Sequence, residues 1–482
     1  MNFFSILDKN TQTQLTILEN IYISKKSWNL EELSALTHSD KRSILNHCAH
    51  IQELSKGHFN KETRNYSYSG NSIDYQKLIL AILNQSSVFQ LVKTLCLQSQ
   101  VDLTEFSKSR NISESFLRRH LTRINQLLEK YRIQIKTAKG HIFIKGEETQ
   151  IRYLIYLILW QTYRGVEWPF KGVDFHQVFL IIEKSFQLIN QRPNKIKMME
   201  WCFIVAVTKI RVDQEKRIQK AKLPAFTDEL WSAFDGLTSE LTISFQRLNL
   251  ATTEIKFLFL WLQTRTSFYL RNHFLDKAVK IHLKWDTPIK QFQNNFYRYL
   301  YSIGFKSSQI NSKKMLLNST LFANGMTGYL FPEFSIIKHD ISTFIEKNYP
   351  TFNREINRLS QHFKNQSQTL AWVHPWNLAE AFMIVASPTY FDKEIKIKFE
   401  SDFPLSIELT YMEMLQEQLR IYLNVLFTND FLYKPDLIIR TTDIPLKTVT
   451  YEESIPTLTI STEMSSEQIY LLSQKIQKIV NR

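Results

Sequence analysis

Asp102–Leu128 reads DLTEFSKSRNISESFLRRHLTRINQLL, and this stretch decides the N-terminal fold. DLTEFSKS predicts a short helix and RNI a turn. Ser113 then stands as the N-cap of a longer helix, because a hydroxyl at that place can accept from the first free backbone N–H groups. Leu117, Leu121, Ile124 and Leu128 recur at helical spacing and form one apolar stripe. Behind the helix, IQIKTAKGHIFIKG (Ile133–Gly146) alternates like two strands around Lys139-Gly140, the size of a wing. Ahead of it, YQKLILAILNQ and VFQLVKTLCLQ read as two further helices. Together these parts predict a winged helix-turn-helix unit.

The same plan occurs 73 residues earlier. A helix is predicted over Thr11–Ile23. Asn29 caps NLEELSAL, THS is the turn, and Asp40 caps KRSILNHCAHIQEL with Ile44, Cys48 and Ile51 on one face. GHFNKETRNYSYSG (Gly57–Gly70) is a second wing-sized hairpin. At this offset Leu30 falls on Leu103, Glu32 on Glu105, Ser34 on Ser107, His47 on His120, Ile51 on Ile124 and Leu54 on Leu127, and the caps Asp40 and Ser113 coincide. Two patterns in register carry more weight than either alone, and a duplicated DNA-binding unit is the reading.

A recognition helix lies in the major groove, with its first turns on base edges and the wing on phosphates. Away from the Leu stripe the second unit presents Ser115, Arg118, Arg119, Thr122 and Arg123, and its wing Lys136, Lys139 and Lys145. Arginine fits because its planar fork bonds guanine O6 and N7 together. The first unit presents Lys41, Arg42, Asn46 and His50, with Lys61 and Arg64 on its wing. Its helix is less basic, so it is expected to add less affinity.

Beyond the two units the chain changes character twice. Residues 151–390 are dense in apolar side chains at helical spacing. Long helices are predicted over Thr149–Gly165, Phe175–Gln191, Lys195–Ala221, Thr252–Phe274 and Lys338–Tyr349, punctuated by Pro193, Pro224, Pro288, Pro332 and Pro350. Residues 391–482 alternate strands (EIKIKFES, DLIIRTT, PTLTIST) with helices (SIELTYMEMLQEQLRIYL, SSEQIYLLSQKIQKIV), which predicts a small α/β domain with a largely parallel sheet. The fold class is therefore mainly α with a small α/β C-terminal domain.

Charge follows the same division. The chain of 482 residues carries a formal net charge of +14. Residues 1–150 are net +6, residues 151–390 net +12 and residues 391–482 net −4. The tail is thus a poor candidate for touching phosphates. Only 10 glycines occur, and neither GxGxxG nor GxxxxGK[ST] is present. No HExxH, CxxC or GxSxG appears either, so no enzyme, cofactor or metal site is expected. Cys48, Cys96 and Cys202 are far apart in apolar surroundings, which suits a reducing compartment rather than a disulfide framework. The N-terminus MNFFSILDKNTQ lacks the features of a signal peptide, and the longest apolar run, Tyr153–Trp160, falls short of the ~20 residues of a membrane span. A cytoplasmic protein is expected, with double-stranded DNA as partner and no membrane. An RNA-binding or interaction protein with a basic helical surface is the alternative; helical rather than sheet-borne basic faces favour duplex DNA.

The layout resembles the Mga-like (Mga/AtxA-type) regulators of low-GC Gram-positive bacteria. The resemblance rests on NLEELSALTHSDKRSILNHCAHIQEL and DLTEFSKSRNISESFLRRHLTRINQLL, followed by a helical middle and an α/β tail in that order. It implies five domains: 1–70 and 71–165 as winged units, 166–285 and 286–392 as helical domains of the phosphotransferase-regulation (PRD) type, and 393–482 as an EIIB-like domain. It also implies a virulence or stress regulator, an activator that works as a homodimer with RNA polymerase, and control by phosphocarrier proteins that phosphorylate histidine. TEIKFLFLWL (Thr253–Leu262) looks like the helix that carries such a histidine, but Trp261 stands in its place. Of His176, His273, His282, His339, His362 and His374, the resemblance points to His176 and His339 as phosphoacceptors. A working EIIB domain holds a cysteine after its first strand. Here that loop is ESDFPLSI (Glu400–Ile407), and no cysteine follows Cys202, so the tail is expected to be a dimerisation or docking module.

Overall fold

The computed structural model describes residues 6–270, 273–334, 339–428, 434–443 and 455–480, with residues 339–342 described by their backbone alone. The chain forms two compact units, Met1–Lys290 with Phe322–Phe334, and Gln291–Leu321 with Ser335–Arg482.

The first compact unit opens with α1 (Lys9–Ser24), β1 (Trp28–Asn29), α2 (Leu30–Thr37), α3 (Lys41–Leu54), β2 (Phe59–Glu62) and β3 (Asn65–Tyr68). Asn29 caps α2 in a reciprocal box with Glu32, and Asp40 accepts from the Ser43 N–H to cap α3. Then α4 (Ser72–Gln85) and α5 (Ser87–Leu97) meet at a 97° bend. β4 (Val101–Asp102), α6 (Leu103–Ser109), α7 (Glu114–Leu128), β5 (Gln134–Ala138) and β6 (His141–Lys145) repeat the plan. The sheet orders are β1-β3-β2 and β4-β6-β5, antiparallel throughout, so both halves have one topology. The 73-residue offset reaches further than the sequence pattern does. Cap Asn29 falls on cap Asp102, and both turns place one residue in the left-handed region, His38 at φ 50° and Asn111 at φ 52°. The second hairpin turns through Lys139 and Gly140 at φ 51° and 81°, which requires two residues that tolerate positive φ.

From β6 the chain enters α8 (Glu148–Tyr163), then α9 (Phe175–Leu188), α10 (Lys195–Asp213), α11 (Thr227–Ala233), α12 (Asp235–Gln246), α13 (Thr252–Leu262), α14 (Thr266–Tyr269) and α15 (Phe274–Lys284). One continuous apolar core runs from Ile6 through both winged halves to Phe334. Buried charges cross it from α8. Arg152 pairs with Glu148 and with the fully buried Glu254 of α13, and Arg211 of α10 also bonds Glu148 at 2.9 and 2.7 Å.

Two long helices expected from periodicity are broken. The one predicted to reach Ala221 ends at Asp213, where Glu215 turns to φ 61°. Beyond it the Lys216 carbonyl accepts from Arg152 at 2.9 Å and the Ile218 N–H donates to Glu254 at 2.9 Å, so buried side chains take backbone groups that a helix would have used. The helix predicted over Thr252–Phe274 stops at Leu262. Arg265 adopts an extended conformation, and its guanidinium donates to Glu200 at 2.7 Å.

The second compact unit has a helical part and a sheet. Phe292, Phe296, Leu300, Phe352, Ile356 and Phe382 centre the helical core. The sheet runs β10-β9-β7-β8 and is entirely parallel, with β7 (Ile395–Glu400), β8 (Val425–Phe427), β9 (Leu437–Arg440) and β10 (Thr457–Thr459). Ile395, Ile397 and Phe399 alternate inward beneath helices Leu405–Leu419 and Ser466–Val480. The expected mainly α chain with a small α/β domain is what forms; β8 is a strand the sequence reading did not include. Among the described residues no single helix is long and apolar enough to cross a membrane.

Candidate nucleic-acid interface

Helix α7 buries Leu117, Leu121, Ile124 and Leu128 and turns the opposite face outward. Ser115, Arg118, Arg119, Thr122 and Arg123 are all exposed on it. They follow i, i+3, i+4, i+7 spacing, which on a helix is one strip. Arg118 lies 3.4 Å from Glu114, but both are exposed, and such a pair is weak and easily exchanged for a phosphate. The Thr122 hydroxyl donates back to the Arg118 carbonyl at 3.0 Å, and the Ser115 and Ser113 hydroxyls lie 3.1 Å apart.

On the wing, strand register puts Lys136 and Lys145 on one face, beside Gln134 and Phe143, while Ile135, Thr137, Ile142 and Ile144 share the other. Lys139 stands at the tip. Lys145 is at the opposite end of the hairpin, roughly 15 Å away at 3.4 Å per residue. The three wing lysines are therefore spread along the hairpin rather than clustered.

A residue that the sequence reading did not single out fixes the wing to the helix. The Asn125 side chain donates to the Ile135 carbonyl at 2.9 Å and accepts from the Ile135 N–H at 2.7 Å. β5 is the edge of its sheet, so Asn125 satisfies edge groups and sets the wing against α7 together. Nothing in its local sequence marks it, since an Asn late in a helix reads as solvated.

In the first unit Arg42 and Asn46 are exposed on α3, and Lys41 is exposed but bonded to Glu31 at 2.7 Å. His50 is half-buried, with its Nδ1 buried and unpaired among the described residues. Lys61 lies 5.8 Å from the Tyr66 ring centroid on the hairpin, and Arg64 is exposed in the turn between β2 and β3. At the places where α7 has Arg118 and Arg119, α3 has Leu45 and Asn46, and Leu45 is 38% exposed.

At equivalent places the two helices also hold His47 on α3 and His120 on α7, the first buried and the second half-buried. Burial pushes the His120 imidazole below its ordinary value; Asp8 opposes this, while Arg123 and Arg119 add to it. Burial likewise lowers His47, with His50 adding and Asp40 opposing. His47 lies 3.4 Å from the Gln14 amide and 3.3 Å from the Ser43 hydroxyl.

Elsewhere the residues offer little chemistry. All three thiols are buried and pushed up to about 12 by that burial. Among the described residues no group of three His, Cys, Asp or Glu could hold a metal ion. Trp261 is fully buried, packed between Tyr153, Tyr156 and Phe331 with ring centroids 5.0 to 5.6 Å away. His282 is also fully buried and pushed down to about 3 by desolvation. His176 is exposed in the first turn of α9. His339 begins the helix His339–Asn348, but its side chain lies outside the described residues. At the end of β7, Glu400 bonds Arg440 and Lys398.

This geometry is that of a helix-turn-helix protein with two winged halves. Residues 71–159, from α4 into α8, match the family model of the Mga helix-turn-helix domain. A protein of Streptococcus pneumoniae serotype 4 (strain ATCC BAA-334 / TIGR4) named "Putative trans-acting regulator" is 21% identical over 184 residues, which is 38% of this chain and 37% of that protein. The chain is thus Mga-like, and the family match lies on the second winged half. The helical middle beyond residue 159 and the α/β tail fall outside the family model.

Proposed function

We propose that this chain is a transcription regulator that reads duplex DNA with α7 and the second wing, and adds a weaker contact through α3 and the first wing. The observation that carries the reading is the strip Ser115, Arg118, Arg119, Thr122 and Arg123, exposed on the helix that a second winged half presents outward. Arg118, Arg119 and Arg123 take base edges and phosphates, and Lys136, Lys139 and Lys145 hold the backbone along the wing. Lys41, Arg42, Asn46, His50, Lys61 and Arg64 do the same in the first half. The Mga family match supports the reading.

The fuller form of the proposal follows the family resemblance. The five domains are 1–70, 71–165, 166–285, 286–392 and 393–482. The regulator is a cytoplasmic homodimer that activates transcription with RNA polymerase. Phosphocarrier proteins act on His176 or His339, and what supports His176 is its exposure. Its EIIB-like tail, which holds no cysteine, serves docking rather than phosphoryl transfer.

The test is binding of the full chain to promoter-length duplex DNA and to RNA of equal length across a salt series. Expected is preferential duplex binding that weakens steeply with salt, because each neutralised phosphate contributes about −0.9 to the slope of log K against log salt. Equal affinity for RNA, or a flat salt response, overturns it.

A further inference from the structure

A cavity of about 890 Å³ opens in the first compact unit, between the start of α8, the segment leading into α11, α13 and the residues at 329–330. Small-molecule sites occupy roughly 300–1,000 Å³ and combine apolar walls with a few convergent polar groups. This one has both. Leu223, Phe257 and Tyr329 give it an apolar and aromatic wall, and Lys220 and Lys222, from one short turn, line it together with Asp228.

These two cations are held loosely. Lys220 pairs with Asp228 at 3.0 Å and Lys222 with Glu147 at 3.4 Å, and the four side chains are between 40% and 74% exposed. Pairs of that kind exchange readily for another anion. Asp228 also bonds Lys256 at 2.6 Å, so it keeps a cation if Lys220 turns to a ligand. Behind the wall, the buried Gln150 amide donates to the Thr149 hydroxyl at 3.2 Å and to the Leu330 carbonyl at 2.8 Å, while its own oxygen is buried without a partner among the described residues. The wall at Thr149 is therefore braced from within.

We infer that this cavity is a binding site for a small amphipathic organic anion, an apolar or aromatic body carrying a carboxylate, phosphate or sulfonate. Its acidic group bridges Lys220 and Lys222, and its body lies on Phe257, Leu223 and Tyr329. A bare inorganic anion leaves most of the volume empty, and a metal ion meets two ammonium groups. Glu147 and Thr149 follow directly on the second wing strand, so a ligand that draws Lys222 from Glu147 acts at the exit of the second winged half. The site rests on its own geometry and does not require the DNA reading.

The probe is 8-anilinonaphthalene-1-sulfonate, an aromatic sulfonate of this class, titrated into the folded full chain and followed by fluorescence. Expected is saturable binding at one site per chain. Lys220→Glu with Lys222→Glu weakens it at least tenfold, and so does Ala225→Trp, which fills the cavity from an exposed lining position without touching a charge. Lys171→Glu, on the surface elsewhere, leaves it unchanged. Circular dichroism melts check that each variant is folded. The inference is overturned if the probe does not saturate, or if folded cavity variants bind it as the parent does. A loss of duplex DNA affinity in the Lys220/Lys222 variant with unchanged probe binding also overturns it, and assigns those lysines to the phosphate backbone instead.

Discussion

The two winged halves share a topology, a capping scheme and a turn, yet differ in what surrounds the shared frame. The second half presents three arginines on its outer helix, clasps its wing with Asn125, and runs straight into a helix held by buried charges. At equivalent places the first half has Leu45, Asn46 and His50, and an exposed Gln52 that makes no such clasp among the described residues. Its hairpin is held by rings instead: Phe59 and Tyr66 stack at 5.8 Å, and Tyr68 meets Tyr22 of α1 at 5.8 Å and Tyr75 of α4 at 6.2 Å edge-on. Duplication preserves the backbone solution, because caps and left-handed turn residues are needed wherever that backbone recurs. The outer face and the anchoring answer to no such constraint and have diverged.

The largest expected effect tests the anchoring. Arg152 is fully buried and bonded to Glu148, Glu254 and the Lys216 carbonyl. Arg152→Ala leaves the buried Glu254 without its cation, while Glu148 keeps Arg211, and the loss costs about 3–5 kcal/mol. Urea denaturation of the full chain reads this as a lower midpoint for the transition containing the second half. In the first half Lys41→Ala removes only a surface pair with Glu31 and leaves the midpoint unchanged. If both variants shift the midpoint alike, the difference in anchoring is not real. The clasp comes next. Asn125→Ala removes two hydrogen bonds to an edge strand and costs about 1–2 kcal/mol, whereas Gln52→Ala changes nothing measurable. Amide hydrogen exchange at Ile135 accelerates in the first variant; unchanged protection there would rule out the clasp.

Much of the frame was legible because its signals are local. Asn29, Asp40 and Ser113 cap helices as their side chains dictate, and Lys139-Gly140 turns as its φ tolerance requires. The breaks after Asp213 and Leu262 were not legible. Both lie in sequence that continues a helical pattern, and both are imposed from a distance, by Arg152 with Glu254 and by Glu200 with Arg265. β8 escaped because three residues carry too little alternation to separate from a loop. The exposed strip on α7 followed from the Leu stripe alone, since burying one helix face assigns the other. Asn125 and the Lys220–Lys222 cavity rim could not be seen, because each takes its meaning from a partner brought near by folding.

The outer face is tested by DNA affinity. Arg118→Ala with Arg119→Ala weakens binding to a promoter-length duplex at least tenfold, or ~1.4 kcal/mol. The equivalent change in the first half, Leu45→Ala with Asn46→Ala, weakens it less than threefold. Fluorescence anisotropy at fixed salt compares them directly. Equal losses would make the two helices equal readers and end the ranking of the halves; no loss in the folded arginine variant would remove α7 as the main one.

The smallest effect concerns His47 and His120, which the 73-residue offset superimposes. Both are pushed below the ordinary value of 6.5, chiefly by burial. A group whose folded-state pKa is depressed stabilises the fold above its unfolded value, and that stability is lost as pH falls from about 6.5 toward the folded value. Both halves should therefore weaken on acidification below pH 6.5, not on raising the pH. Their neighbours differ: Arg119 and Arg123 hold His120 down against Asp8, while His50 holds His47 down against Asp40. Removing the arginine charge in Arg119→Ala with Arg123→Ala should raise the His120 pKa and leave His47 where it was. Imidazole titration by NMR reads each ring separately. If the two rings move together, the arginine strip does not set the local field on α7, and the electrostatic difference between the halves lies elsewhere than on their outer helices.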